Sequence, residues 1–237
     1  MDASVQKNPL GYEKLSRLLR TYAVPSVIAM LVSSLYNIVD QIFIGQGVGY
    51  LGNAATNVAY PLTTICLAIA LLIGIGSASR FSLKLGAGQP DDAAQTVGTA
   101  VCMMVALGVL YVIIIEIFLN PLLHAFGATA DVLPYAQEYT RITAVGMPLL
   151  ILTNGMSNLA RADGSPKYSM TCMLLGAVIN TILDPIFIFV CKWGVAGAAA
   201  ATVIGQLASC IMAVNYLRYF RHVRLSRHHF GLKPAHC

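Results

Sequence analysis

Long apolar stretches, separated by short polar ones, fill the chain from about residue 22 to residue 218. Each of six stretches is long enough to cross the hydrocarbon of a bilayer as a helix, which takes about 20 residues. We expect spans over about residues 22–44, 56–80, 93–118, 134–157, 168–190 and 195–218. The predicted fold class is all-α integral membrane: a bundle of six transmembrane helices over residues 1–220, followed by a basic tail over residues 221–237.

Composition agrees with lipid as the main solvent. Hydrophobic residues make up 57% of the chain and charged residues only 11%, with a mean hydropathy of +0.70. A soluble domain carries about 25% charged residues to cover its surface. The net charge of +5 is also unlike that of a nucleic-acid binder, because the basic residues lie in short segments between apolar stretches. We therefore expect a lipid bilayer, and no nucleic acid, as the surrounding partner.

The positions of the basic residues predict the orientation of the bundle. All but Arg141 and Lys192 of the fifteen Lys and Arg residues lie in the N-terminal segment, the second and fourth connections and the C-terminal tail. Positive residues concentrate on the cytoplasmic side of membrane proteins. Both termini are therefore expected in the cytoplasm.

Four acidic residues lie inside the predicted spans. Glu116 is near the outer end of the third span, and Glu138 is expected to pair with Arg141 on its own helix. The other two are Asp40 and Asp184; a charge inside a span is costly and usually marks an ion or proton path. Asp40 is in the first span and Asp184 in the fifth. Asn180 precedes Asp184 by four residues, so the two side chains share one helical face. Carboxylate and amide oxygens suit a hard cation such as Na⁺, and a carboxyl group equally suits a proton. The alternative is that both acids only bridge helices through hydrogen bonds.

Other polar residues are weaker candidates. Asn37 and Gln41 flank Asp40 and are predicted to line its cavity. Asn154 and Asn158, again four residues apart, either face the same interior or end the fourth helix. Glu116 is expected at the membrane interface.

The sequence contains none of the common enzyme motifs that would indicate a different functional site. A zinc-protease HExxH, a hydrolase GxSxG and a P-loop are all missing, and the six cysteines form no CxxC pair. We predict a protein that is not an enzyme and has no cofactor apart from a coupling ion. No metal site is expected beyond possible Na⁺ at Asp40, Asn180 and Asp184.

Small residues and prolines predict how the helices pack and bend. A row of small side chains at every fourth position lets two backbones approach closely; it comprises Gly197, Ala201, Gly205 and Ser209. Prolines inside or near spans remove a backbone donor and bend or weaken a helix; they are Pro25, Pro61, Pro148 and Pro185.

Several segments, taken in order, resemble one transporter family. They are Pro25, residues 37–45 (NIVDQIFIG), 86–88 (GAG), 160–166 (ARADGSP), 180–185 (NTILDP) and 194–199 (GVAGAA). This combination resembles the multidrug and toxic compound extrusion (MATE) family, in the bacterial branch of MepA-type and DinF-type exporters. The resemblance implies a multi-pass protein of the bacterial plasma (inner) membrane that exports organic cations or drugs in exchange for Na⁺ or H⁺.

The resemblance also implies roles for particular residues. The coupling site of the N-terminal lobe would comprise Asp40, Asn180, Asp184 and Thr202. Asn154 and Asn158 would line the same cavity, and Pro25 would let the first helix bend when the occupancy of the site changes. Of these roles, those of Thr202 and Pro25 come from the resemblance alone.

Members of the family have two six-helix lobes, whereas this chain has six spans. The tail over residues 221–237 resembles the start of a linker between lobes. We therefore expect a second lobe, or a second copy of the chain, as partner; a truncated product, half of a split transporter and a homodimer all stay open. Alternative functions are a flippase for lipid-linked oligosaccharides and a non-transporting membrane subunit. The flippase is less favoured because the spans carry acids and amides rather than phosphate-binding basic residues.

Overall fold

A computed structural model describes residues 15–223 and consists of long helices joined by short turns. Each predicted span falls within a helix, so the six-span prediction and the all-helical fold class are confirmed. The fifth helix ends in one π-helical turn and the sixth in a short 3₁₀ turn. The bounds are α1 (Leu15–Gly47), α2 (Tyr50–Gly86), α3 (Pro90–Ala125), α4 (Leu133–Ala162), α5 (Pro166–Pro185), the π-turn (Ile186–Val190), α6 (Gly194–Asn215) and the 3₁₀ turn (Tyr216–Arg218).

Two turns at one end of the bundle share a Gly-x-Pro pattern that explains where the helices begin and end. Gly88 and Gly164 adopt φ of 73° and 82°, a left-handed conformation that glycine tolerates without steric cost. Two residues later, Pro90 and Pro166 begin α3 and α5. Proline suits the first helical position because its missing N–H would have no partner there.

Helix α4 is the centre of the bundle. It packs against α2, α3, α5 and α6, and more of its length is buried than that of any other span described. By contrast, α1 lies at the edge and packs chiefly against α5. Its apolar side chains that face away from the bundle include Val27, Met30, Leu31, Leu35, Ile38 and Ile42. One face of α1 is therefore available to lipid or to another protein.

Helices α5 and α6 approach closely, as the row of small residues predicts. A Cβ atom on Gly205 would lie 2.7 Å from the backbone oxygen of Gly176, so only glycine fits there without a shift. One turn further along α6, Ser209 Oγ donates a hydrogen bond of 2.8 Å to the backbone oxygen of Cys172. This close contact brings the polar side chains of α6 within reach of those on α5.

The helix irregularities agree only in part with the proline predictions. Helix α1 continues through Pro25, and the bending role of that residue stays a prediction. The clearest break is in α3, where Phe118 has non-helical φ and ψ of −106° and 20°, three residues before Pro121. Because a proline ring crowds the preceding turn, Pro121 accounts for this break. Pro185 ends α5 and the π-turn follows it directly.

Asp163 fixes the chain beyond α6 to the α4–α5 turn. Its buried carboxylate accepts hydrogen bonds from the Tyr216 hydroxyl group at 2.7 Å and the Arg221 backbone N–H at 2.8 Å. His222 Nδ1 lies 2.8 Å from the same carboxylate. We refer to this end of the bundle as the Asp163 end and to the opposite one as the π-turn end. Of the predicted tail, residues 224–237 lie outside the described residues.

The α5–α6 contact predicts a large difference between two glycine substitutions. Gly205→Ala should lower the stability of the bundle by about 1–3 kcal/mol, because the new methyl group overlaps a backbone oxygen. Gly76→Ala is the matched control, since a Cβ atom there meets nothing within 4 Å. It should stabilise its helix by about 0.5–1 kcal/mol. Thermal unfolding of the purified proteins in detergent measures both effects, and equal melting temperatures would contradict the predicted contact.

Candidate functional site

The two buried acids of the membrane spans meet where α1 packs against α5. Asp40 on α1 is 7% exposed and Asp184 on α5 is fully buried. Their carboxyl groups lie close enough to interact with each other. The structure therefore brings together two residues that are separated by more than half of the chain.

Asn180 connects this pair to α6. Its side-chain amide donates hydrogen bonds to Asp184 Oδ1 at 3.2 Å and to Thr202 Oγ1 at 3.3 Å. The first contact follows from the four-residue spacing on α5. The second depends on the close approach of α5 and α6. All four residues predicted for the coupling site thus lie in one group, which we call the acid cluster: Asp40, Asn180, Asp184 and Thr202.

The acid cluster has more oxygen acceptors than hydrogen-bond donors. Asp40 Oδ1, Asn180 Oδ1 and Asp184 Oδ2 are buried and have no hydrogen-bond partner in the described part of the chain. Neither acid forms an ion pair within residues 15–223. Buried oxygen atoms without donors are costly unless something positive satisfies them. Carboxylate, amide and hydroxyl oxygens are also the ligands that hard cations take, so the cluster fits Na⁺ or a proton.

Two tyrosines that the sequence did not single out complete the surroundings of the acid cluster. Tyr36 precedes Asp40 by one turn of α1 and lies close enough to both acids to interact with their charges. Tyr139, on α4, also lies close enough to both acids to interact with their charges, and its hydroxyl group lies near Thr202. The four-residue spacing between Tyr36 and Asp40 could have predicted that Tyr36 lies on the same helical face as the acid. No nearby sequence feature predicts the position of Tyr139, because its contact with the acid cluster depends on how α4 packs.

Asn37 and Gln41 lie on another side of α1, toward α2. They line an open groove of about 620 Å³ together with Ile38, Ile42, Gly45, Gln46 and Asn53. Gln41 Oε1 accepts a hydrogen bond of 3.2 Å from Thr56 Oγ1 on α2. Among the residues that the structure describes, none of those lining this groove is basic. It is polar but uncharged, and it adjoins the acids along the same helix.

The structure does not bring Asn154 and Asn158 to the acid cluster. Their side-chain amides donate hydrogen bonds to backbone oxygens of their own helix, those of Leu150 at 2.9 Å and Asn154 at 3.0 Å. Asn154 lies fifteen residues beyond Tyr139 on α4, which is about 22 Å along the helix. The shared four-residue spacing therefore indicated a common face but not a common depth.

Groups of three or more His, Cys, Asp or Glu side chains that could hold a metal ion are not found among residues 15–223. A transition-metal centre of that kind therefore has no counterpart in the described structure. The acid cluster, with two carboxyl groups and neutral oxygen atoms, is the polar site that the geometry offers.

Comparisons with known proteins agree with this arrangement. The MatE family model matches residues 25–186. The chain is 28% identical to "Multidrug export protein MepA" of Staphylococcus aureus over 82% of its length and 43% of that protein. It is 28% identical to "FAD transporter" of Shewanella oneidensis over 92% of its length and 49% of that protein. The chain thus spans about half the length of the curated relatives it matches.

Solved structures give the same result at the level of the fold. A multidrug resistance MATE family transporter in the outward-facing conformation superimposes with a TM-score of 0.85 and 26% identity. That likeness covers 92% of this chain and 48% of the solved one. A MATE protein in the bent conformation gives a TM-score of 0.83 and 27% identity, over 90% and 48% of the two chains. The six helices therefore correspond to about half of a solved transporter.

The close approach of the two acids predicts non-additive effects of their substitution. In Na⁺-free buffer at alkaline pH, where both carboxyl groups are charged, Asp40→Asn and Asp184→Asn should each raise the melting temperature. Either one removes the same repulsion, so the double variant should gain little more, with a coupling energy of about 0.5–3 kcal/mol.

Glu116→Gln is the control for this experiment, because Glu116 is exposed on α3 and should leave the melting temperature unchanged. Thermal unfolding of the four proteins and the double variant in detergent supplies the comparison. Strictly additive shifts would mean that the two acids do not face each other.

Proposed function

This chain belongs to the MatE family, and we propose that its six helices form one lobe of a transporter that exports organic cations in exchange for Na⁺ or H⁺. The family match, the six membrane-spanning helices and the fold make it a multi-pass membrane protein of a transporter family. The main support for the rest of the proposal is the acid cluster, where two buried carboxyl groups lie close together and no basic residue of the described part of the chain pairs with them.

The acid cluster is the proposed coupling site. Asp40, Asn180 and Asp184 each present a buried oxygen atom without a hydrogen-bond partner in the described residues, and Thr202 adds a hydroxyl oxygen. Na⁺ bound there would screen the two carboxylates from each other. A proton would serve by turning one carboxyl group into a hydrogen-bond donor toward the other. Either ion stabilises the junction of α1, α5 and α6.

Coupling follows if the ion and the drug favour different positions of α1. A ligand shifts a conformational equilibrium only by the difference between its affinities for the two states. Helix α1 holds Asp40 on one side and Asn37 and Gln41 on another, and it packs chiefly against α5. Loss of the ion leaves two carboxylates in contact, which favours a shift of α1 away from α5. Pro25 is the proposed position at which α1 bends.

An organic cation is the substrate class that the charges favour. The groove beside α1 is lined by amides and aliphatic side chains without a basic residue, and the acids lie on the next face of the helix. Such a surface suits a flat, lipophilic cation, whereas a flippase for lipid-linked oligosaccharides or a carrier of a dinucleotide needs positive groups for phosphate. The two curated relatives are named for different cargoes, so we base this choice on the charges and not on the names.

A second six-helix lobe is the proposed partner, either further along a longer polypeptide, on another chain or as a second copy. The groove at Asn37 and Gln41 is open on the side that faces away from the bundle. The exposed apolar side chains of α1 border the same side. We place the Asp163 end of the lobe and both chain termini on the cytoplasmic side of a bacterial plasma (inner) membrane, because most of the basic residues that the structure describes lie at that end.

Export by the chain predicts a lower accumulation of ethidium in an efflux-deficient bacterium that expresses it. Asp40→Asn should abolish this effect because the coupling ion loses a carboxylate, whereas Glu116→Gln should preserve it. Fluorescence of the cells measures accumulation, and immunoblots of the membranes verify equal amounts of each protein. Accumulation that is the same with and without the chain would contradict export by this lobe or by two copies of it.

Ion binding can be measured without transport. If Na⁺ is the coupling ion, replacing K⁺ by Na⁺ at constant ionic strength should stabilise the purified protein, by about 2.7 kcal/mol at one hundred times the dissociation constant. If the proton is the coupling ion, acidification should stabilise it and Na⁺ should not.

In both cases Asp184→Asn should remove the response and Glu116→Gln should keep it. Thermal unfolding in detergent is again the measurement. A melting temperature that neither ion changes, or a response that survives Asp184→Asn, would exclude the acid cluster as the coupling site.

A further inference from the structure

A line of polar contacts runs along the interface between α4 and α6. Tyr139 meets Thr202 at the acid cluster. Further along, Gly146 lies against the carboxamide of Gln206. Beyond that, the Thr153 hydroxyl group lies beside the Cys210 thiol group. On α6 these residues recur at every fourth position, so they form one row about 12 Å long that starts at the acid cluster and points toward the Asp163 end.

The middle contact depends on the absence of a side chain on α4. A Cβ atom on Gly146 would overlap Gln206 Oε1 and lie 3.1 Å from Val203 Cγ2. The missing side chain therefore makes room for a polar group rather than for a neighbouring backbone. This differs from Gly205, where the space is filled by the backbone oxygen of Gly176.

Polar atoms along this interface have no hydrogen-bond partners in the described residues. Gln206 Oε1 and Ser157 Oγ are buried and unpartnered, and Thr153 Oγ1, although it lies beside the Cys210 thiol group, makes no hydrogen bond of proper geometry. Ser157 follows Thr153 by one turn of α4 and so extends the same face toward the Asp163 end. Elsewhere in the bundle, helical hydroxyl groups donate to the backbone oxygen one turn earlier, as those of Thr143 and Thr181 do.

The distribution of unpartnered atoms is not even over the bundle. Eight buried side-chain atoms have no partner among the side chains that the structure describes, and three of them belong to the acid cluster and three to this interface. The remaining two are on Asn53 and Thr140. An unsatisfied buried polar group costs about 1–3 kcal/mol. A row of such groups would be stable if one kind of molecule forms hydrogen bonds with all of them. Water is the partner that fits carboxamide, hydroxyl and thiol groups alike.

We propose that the α4–α6 interface is a hydrated passage that carries the coupling cation or proton between the acid cluster and the Asp163 end of the bundle. Polar groups that lack a protein hydrogen-bond partner are tolerated inside a membrane protein where they line a water-filled path. The passage gives the acid cluster a route to one side of the membrane that does not pass through the groove beside α1. This inference rests on the proposed coupling function, to which it adds the route of the ion.

Cys210 is a built-in probe of water in the passage, because a thiol reacts with methanethiosulfonates only as a hydrated thiolate. Cys172 is the matched control: it is 1% exposed against 5% for Cys210, and it lies on α5 at a similar distance from the Asp163 end. Two variants of the 237-residue chain keep one of these cysteines each, and the other five cysteines are replaced by Ala. In membrane vesicles, a small cationic methanethiosulfonate should modify Cys210 about tenfold faster than Cys172.

A larger side chain at position 157, which would block the passage, tests whether the passage runs past Ser157. In the variant that keeps Cys210, Ser157→Leu should slow modification to the rate at Cys172. Ser82→Leu, at an exposed position of α2, should leave the rate unchanged. If Ser157→Leu does not yield monodisperse protein in detergent, Ser157→Val serves as the smaller plug.

Equal rates at Cys210 and Cys172 would overturn the passage, as would fast modification of Cys210 that a folded plug variant does not slow. The labelling requires no export. A chain that exports ethidium but keeps Cys210 unreactive therefore refutes the passage alone, and a reactive Cys210 in a chain that does not export refutes the export function alone.

Discussion

The burial of two carboxyl groups against each other, without a basic partner, is the constraint on which the rest of this structure depends. Removing an ionised carboxylate from water costs several kcal/mol even after relaxation, and a second carboxylate in contact adds repulsion. The described residues supply one amide donor, from Asn180, and no cation. The junction of α1, α5 and α6 therefore depends on something positive being bound there, which links its stability to ion occupancy.

The local sequence of α5 and α6 builds this junction. Glycines at Gly176 and Gly205 let the two helices approach until Thr202 reaches Asn180. On the other side of Asp184, Pro185 ends the α-helix and a π-turn follows. π-Turns alter the direction of side chains and often occur at functional sites. Asp184 thus lies between the part of α5 that packs tightly against α6 and the π-turn, whose backbone departs from α-helical geometry.

The sequence predicted those features that depend on composition and local spacing. Six apolar stretches specify six spans, and acids inside spans are rare. Asp40 and Asp184 could be identified because Glu116 lies near the end of its span and Glu138 has Arg141 three residues away. The positions of Tyr139 and Gln206 could not be predicted, because such residues occur in many spans and only the packing of α4 against α6 gives these two their contacts. Phe118 illustrates the same limit for the backbone: Pro121 was visible in the sequence, but the residue at which the helix breaks depends on how the turn relaxes.

The two sides of α1 explain how an event at the acids can change a surface that faces away from them. Asp40 points toward α5, whereas Asn37 and Gln41, within one turn of it, line the groove toward α2. A helix is stiff over so short a distance, so α1 cannot move relative to Asp184 without carrying both amides with it. In the proposed transporter, a change of charge on one face of α1 therefore becomes a change of shape on the other. Helix α1 alone transmits this change, so no series of contacts through other helices is required. Its weak packing against helices other than α5 matters to the proposed function because it leaves α1 able to move.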